Sequence, residues 1–227
     1  MKELNIKKYL EEFITGNNIK CRKEYSVIGS LNNDKEEERY IYNEMSFQHE
    51  LGEYLRERLD GKKYLIQFER NIKAFGYESK EYPKKYFRKK EIDIVIINKK
   101  TKEKYAIELK YHYKKYGEIP DVMYNCIKDM DFMYKCLELG FTKTYCVMVA
   151  EDKGFYTGES KEGDIYTFFR TKKSYTEIPD YAYIQRNDKI AREKSKINIK
   201  EIKKDRLPIK WEPIADKIEA RYYILEF

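Results

Sequence analysis

Residues 34–150 predict an α/β fold built as helix, three strands, helix, strand, and three observations carry that prediction. Residues 34–59 hold apolar side chains at helical spacing. Residues 91–111 read as two β-rich arms joined by a polar turn. Residues 121–139 make a broadly apolar helix, followed directly by an apolar run at 142–150. The hairpin pairs its arms antiparallel, whereas the span from Glu108 through the second helix has the length of a right-handed crossover between parallel strands. A mixed central sheet flanked by helices is therefore expected.

Taken in order, residues 4–14 place Ile6, Tyr9, Leu10, Phe13 and Ile14 on one helical face, and Gly16-Asn17-Asn18 ends that helix. Residues 19–33 are polar and irregular, with a short strand expected at 25–28. The helix over 34–59 takes Asn33 or Asp34 as its cap and Asp60-Gly61 as its stop. Tyr40, Glu44, Phe47, Leu51, Tyr54, Leu55 and Arg58 fall near its buried stripe, so Glu44 is an acid on an apolar face. Gln48 lies one turn further on and Glu50 at the edge of the stripe, although an interruption at Ser46 would move that face. A strand follows at 63–72, where Gln67 and Arg70 are candidates to touch a substrate. The link 73–90 ends in the basic, aromatic run Lys84-Lys85-Tyr86-Phe87-Arg88-Lys89-Lys90, a composition suited to tracking a phosphate backbone or to an ordinary solvated loop.

After the hairpin, Gly117 and Pro120 mark a turn, Asp121 caps the second helix and Gly140 stops it. Beyond residue 150, segments at 165–169, 181–185, 197–202 and 221–227 are expected as added strands. They would extend the sheet, form a dimer contact, or build a substrate-reading lobe with Trp211, Lys203, Lys204 and Arg206. The chain thus divides into an N-terminal helix and loop (1–33), a core (34–150) and a C-terminal elaboration (151–227).

Composition bounds the rest. With 41% hydrophobic and 15% aromatic residues in 227, the chain can bury a core and is too aromatic to be disordered. A net charge of +7 permits a polyanionic partner, but 40 acids offset most of the 47 bases, so the excess is permissive only. No apolar run approaches the roughly twenty residues of a bilayer span, and the N-terminus is charged throughout. Neither a signal peptide nor a membrane partner is expected, and the cytoplasm is the expected location. The four cysteines lack CxxC spacing and there are two histidines, so reduced core thiols are expected rather than a zinc site, with His112 structural or at the surface. No P-loop or glycine-rich dinucleotide fingerprint is present, which argues against ATP-driven translocation by this chain.

The chemistry is concentrated in the hairpin. Ile92 to Ile97 would make a buried strand but for Asp93, and Ala106-Ile107-Glu108-Leu109-Lys110 repeats the anomaly with an acid and a base two residues apart, hence on one face. The turn within 98–104 lacks glycine, so a loop built around a type I turn is expected. An odd register that faces Asp93 to Lys110 sets Glu108 diagonal to Asp93, with all three on one face; an even register separates them. Diagonal carboxylates about 7–8 Å apart can converge on one cation. Mg²⁺ takes few carboxylates and keeps water and phosphate ligands, so an acid pair in a cleft suits phosphodiester substrates. Lys110 would then orient or help deprotonate the attacking water, or stabilise charge on the phosphate. The plain alternative is an exposed hairpin with an Asp at a bulge and a surface Glu/Lys pair.

Asp93, fourteen intervening residues and then Glu108-Leu109-Lys110 resembles the signature of the PD-(D/E)XK nuclease superfamily, with Ile92 in the place of the nominal proline. The element order over 34–150 is similar to the αβββαβ core of restriction-endonuclease-like folds. The resemblance implies a metal-dependent nuclease that hydrolyses phosphodiester bonds of DNA, in restriction or repair. It implies Mg²⁺ as cofactor, with Mn²⁺ able to substitute, held by Asp93 and Glu108, with Lys110 catalytic. A helical glutamate completes the site in the superfamily; Glu44 fits by its face, Glu50 by its distance from the helix end. The alternative is a catalytically inactive nucleic-acid-binding or assembly module of the same fold. A homodimer is compatible with either.

Overall fold

A computed structural model describes residues 4–17, 23–33, 35–76, 90–113, 118–160, 164–171, 177–183, 195–204 and 206–227. Its centre is a mixed six-stranded sheet of β1 (Tyr64–Asn71), β2 (Glu91–Asn98), β3 (Lys104–His112), β4 (Lys143–Ala150), β7 (Glu212–Pro213) and β8 (Arg221–Glu226). The order across the sheet is β1-β2-β3-β4-β8-β7. β1, β2 and β3 run antiparallel in turn, β4 joins β3 in parallel, and β8 returns antiparallel to β4. A separate two-stranded ribbon pairs β5 (Tyr181–Ala182) with β6 (Ile197–Asn198).

Two cores form because alternate side chains of the central strands leave opposite faces. On one side Ile94, Ile96, Ile107, Leu109, Val147 and Val149 pack under α1 (Ile6–Thr15), α2 (Val27–Leu31) and α3 (Glu44–Arg58). On the other, Val95, Ala106, Cys146 and Met148 pack under α4 (Ile119–Cys136), and the segments after residue 150 continue that core through Phe155, Phe168 and Phe169. Residues before 34 and after 150 therefore share cores with the central segment, and β8 is hydrogen-bonded into its sheet. Among the described residues, no helix is long and apolar enough to cross a membrane.

Local chemistry explains where several elements differ from expectation. The helix expected over 34–59 begins at Glu44. Asn43 accepts from Ser46 N at 2.8 Å while Ser46 Oγ accepts from Asn43 N at 3.0 Å, a reciprocal capping box that outcompetes continuation from a cap at Asn33 or Asp34. The strand expected at 25–28 is instead the end of a 3₁₀ turn (Lys23–Tyr25) and the start of α2, because the Ser26 side chain accepts from Gly29 N and caps a helical turn. Asp121 lies inside the first turn of α4 rather than at its cap, with Pro120 beside it at the start of the helix, and Gly140 ends the following 3₁₀ turn at φ +77°. Of the C-terminal segments, 165–169 forms a 3₁₀ turn (Ile165–Phe168) rather than a strand, while 197–202 splits into β6 and α5 (Lys200–Lys203).

Helix α3 lies unusually close to the sheet at one point, and that closeness matters to the site. A Cβ at Gly52 would fall onto the Phe68 ring of β1, well inside van der Waals contact. Gly52→Ala is therefore expected to overpack this contact and lower stability by about 1–3 kcal/mol, read as a fall in the melting midpoint. An unchanged midpoint would mean that the helix is free to move off the sheet.

Candidate functional site

The β2–β3 ladder holds its register only as far as Ile94–Ile107. One step on, the same register sets Asp93 across from Glu108 and leaves Lys110 diagonal, not opposite as expected. The parity is the one that groups the three residues, but the turn closes tighter than the expected register requires: Asn98 N bonds Glu103 O and Lys102 N bonds Asn98 O, with Lys102 at φ +65° in the place of a glycine.

Beyond that pair the strands open. Leu109 N–H donates to Asp93 Oδ2 at 2.7 Å, so the side chain stands where a β2 carbonyl would otherwise accept. The Asp93 carbonyl in turn accepts from Gln48 Nε2 at 2.7 Å, and the same amide reaches Glu69 Oε1 at 2.7 Å. Alternation along β2 breaks at this point: Ile94 and Ile96 face the α3 core, yet Ile92 shares the α4 core with Val95. On β1, Glu69 sits level with Asp93 and has φ +48°, a left-handed conformation that costs a non-glycine residue free energy. The local irregularity turns the Asp93 carboxylate into the seam between β2 and β3, beside Glu108 and Lys110.

Charge in this seam is unbalanced. Burial, then the neighbouring Asp93 and Asp129, push the Glu108 carboxyl well above its ordinary range, with Lys90 and Lys110 offsetting part of the effect. Burial likewise pushes Asp93 up to about 7, against the pull of the Leu109 N–H and Lys110. For Lys110, burial lowers the ammonium's proton affinity, but Asp129, Glu44, Asp93 and Glu108 together outweigh it and raise the pKa. Its Nζ lies 3.0 Å from Glu44 Oε1, 3.0 Å from Leu109 O and 3.5 Å from Asp129 Oδ2. These acceptors match the three donors of an ammonium, so Lys110 is held in place as a cation.

The capping box at Asn43 also decides between the two helical acids. It puts Glu44 in the first turn of α3, where it reaches Lys110, with Gln48 one turn along the same face reaching Asp93. Glu50 points elsewhere and meets His49 Nδ1 at 3.0 Å. Asp129 went unrecognised from sequence, although it interrupts the apolar face of α4 between Cys126 and Met133; it is buried and ion-pairs with Lys90 as well as Lys110. Lys90, the last residue of the basic run, is thereby drawn into the site, its Nζ 4.5 Å from the Phe132 ring centroid. Residues 84–89 of that run lie outside the described residues. Gln67 and Arg70 lie on β1, opposite Val95 and Ile92.

Other candidates are accounted for by packing. His112 is buried edge-on to Phe155, at 4.6 Å between ring centroids. Trp211 donates to Phe169 O at 2.8 Å and packs against Tyr156 and Tyr223. Lys203 pairs with Asp180, and Arg206 donates to Glu226 O. Cys126, Cys136 and Cys146 are free and buried; Cys21 lies outside the described residues.

Among the described residues, no three or more His, Cys, Asp or Glu side chains are gathered into a ready-made metal cage. Asp93 and Glu108 nevertheless suit a cation that needs fewer ligands. Glu108 Oε1 is buried with no hydrogen-bond partner, and both carboxyls sit where burial penalises their charge. Two hard oxygen donors short of positive charge match Mg²⁺, which uses one or two carboxylates and completes its shell with water and phosphate. The seam opens by Lys110 and Glu44 into a cleft of about 600 Å³.

No protein-family model, curated protein or solved structure matches this chain.

Proposed function

We propose that the chain is a metal-dependent nuclease of the PD-(D/E)XK type on a restriction-endonuclease-like core, hydrolysing phosphodiester bonds of DNA. The observation that carries this reading is the seam itself. A buried acid and a half-buried one from adjacent strands meet beside a fixed ammonium, and one oxygen of the buried acid is left without a partner. The element order α3-β1-β2-β3-α4-β4 supports it, being the order of that core.

A divalent cation held by Asp93 and Glu108 would supply charge neutralisation at the phosphate and a more acidic water. The protein's own groups do the rest. Leu109 N–H and Gln48 fix the Asp93 carboxylate and its backbone, and Asp129 holds Lys110 at the mouth of the seam. Lys110 presents a permanent positive charge to the phosphate as the P–O bond breaks and negative charge collects on its oxygens. Glu44, 44% exposed at its side chain, is the Lys110 partner that faces the cleft.

Incubating supercoiled plasmid with the protein in Mg²⁺, in Mn²⁺ and in EDTA tests the reading. Cleavage in the first two and none in EDTA supports it, and binding without cutting in any metal favours the non-catalytic nucleic-acid module. The helical acids are separable in the same assay. Glu44→Ala is expected to slow cleavage by about tenfold or more, and Glu50→Ala to leave the rate within about twofold, because Glu44 touches the site's lysine and Glu50 meets His49 instead. The reverse pattern would reassign the helical acid.

A further inference from the structure

The cleft at the mouth of the seam is aromatic over part of its lining. Among the described residues its charged side chains are Glu44 and Lys110, both at the seam end and paired with each other at 3.0 Å. Other described lining residues include Tyr42, Tyr111 and Tyr113, and Asn125 on α4. Tyr42 is 56% exposed, a large aromatic surface left in water at the N-terminal approach to α3. An exposed tyrosine ring near the Asn125 amide, whose oxygen accepts from Lys128 Nζ at 3.5 Å, suits a flat heterocycle, which stacks on the aromatic face and offers its edge to the amide. A base can do this only when it is out of the double helix. The volume of about 600 Å³ is that of a small-molecule site and is continuous with Lys110, so a base seated here would have its own phosphate near the ammonium.

We propose that this cleft takes an unpaired nucleobase next to the scissile phosphate, so that the substrate is a single strand or a duplex segment with an extruded base. The proposal rests on the nuclease reading for the role of the phosphate, but the base pocket is tested by binding alone.

Fluorescence anisotropy with labelled single-stranded DNA, single-stranded RNA and a blunt DNA duplex, all of one sequence, is measured in Ca²⁺ for the wild type, Tyr42→Ala and Tyr42→Phe. At least one single strand is expected to bind about tenfold or more tightly than the duplex, and the preferred strand identifies the sugar. Tyr42→Ala is expected to weaken that strand by about 5- to 150-fold, Tyr42→Phe to restore it, and neither to change duplex binding. Equal affinity for strand and duplex, no binding of any strand, or single-strand binding indifferent to Tyr42→Ala overturns the proposal. Plasmid cleavage in Mg²⁺ is scored separately. A protein with the Tyr42 signature that never cuts keeps the pocket and loses the nuclease, while one that cuts without the signature does the opposite.

Discussion

Lys110→Ala is expected to yield a folded protein whose Mg²⁺-dependent cleavage is reduced by roughly 10²- to 10³-fold, the scale of removing one preorganised charge from a transition state. Folding should survive because Asp129 keeps Lys90 and the Glu44 side chain is partly exposed to water. The effect should fall on the chemical step, since the ammonium is held by Glu44, Asp129 and the Leu109 carbonyl before any substrate arrives. Lys110→Arg keeps the charge, but its planar fork is wider than an ammonium seated among these acceptors, so it should recover only part of the rate. Initial rates on supercoiled plasmid, with circular dichroism to verify the fold, decide the matter. A Lys110→Ala protein that cuts as fast as wild type would remove Lys110 from the mechanism and leave the ion cluster as a structural device.

Neutralising the seam should stabilise the metal-free protein even as it destroys activity. Asp93 titrates near 7 in the folded chain because burial resists its ionisation. Unfolded, it returns to the ordinary range near about 4. The folded state therefore binds this proton more tightly than the unfolded one. Its contribution to stability is full below about pH 4 and is lost as pH rises through about 7. Asp93→Asn retains a side-chain oxygen for the Leu109 N–H and removes the charge. In EDTA its melting midpoint should match that of wild type near pH 4 and exceed it by about 5–10 °C at pH 8, corresponding to about 2–3 kcal/mol. Glu108→Gln should move the same way, since its carboxyl is raised for the same first reason. Added Mg²⁺ should close the gap by stabilising wild type alone, in proportion to its occupancy. A variant no more stable than wild type at pH 8 would mean that the acids are already compensated, and the cation argument would fail with it.

Both expectations rest on residues that announce themselves in the sequence and on residues that do not. Asp93 and Glu108 stand out because each interrupts a run of β-branched or apolar residues, a conflict visible within six positions. Glu44 was legible only as one of two candidates, since the decision turned on where α3 begins, and Asn43 with Ser46 set that point. Ser46 carried the signal, as the third residue of a reciprocal cap, but the acidic stretch before it also reads as helix. The register of the hairpin was legible in parity and not in value, because the closure of a glycine-free turn depends on how Lys102 absorbs a left-handed conformation. Asp129 was the plainest omission: an acid on the buried face of an apolar helix is the same anomaly as Asp93, read at a period of 3.6 instead of 2.

The sequence by itself determined the mixed α/β order, the hairpin, and the presence in it of two acids and a lysine that no apolar core would choose, because these follow from local periodicity and composition. Only the tertiary structure decided that Gln48 would pin the Asp93 backbone, that Glu69 would bend β1 beside it, and that Asp129 and Lys90 would close around Lys110. Those contacts join positions tens of residues apart through the packing of α3 and α4 on opposite faces of one sheet. Side-chain spacing along the chain has no period that encodes them; they exist because buried charges must find partners in whatever elements the fold brings alongside.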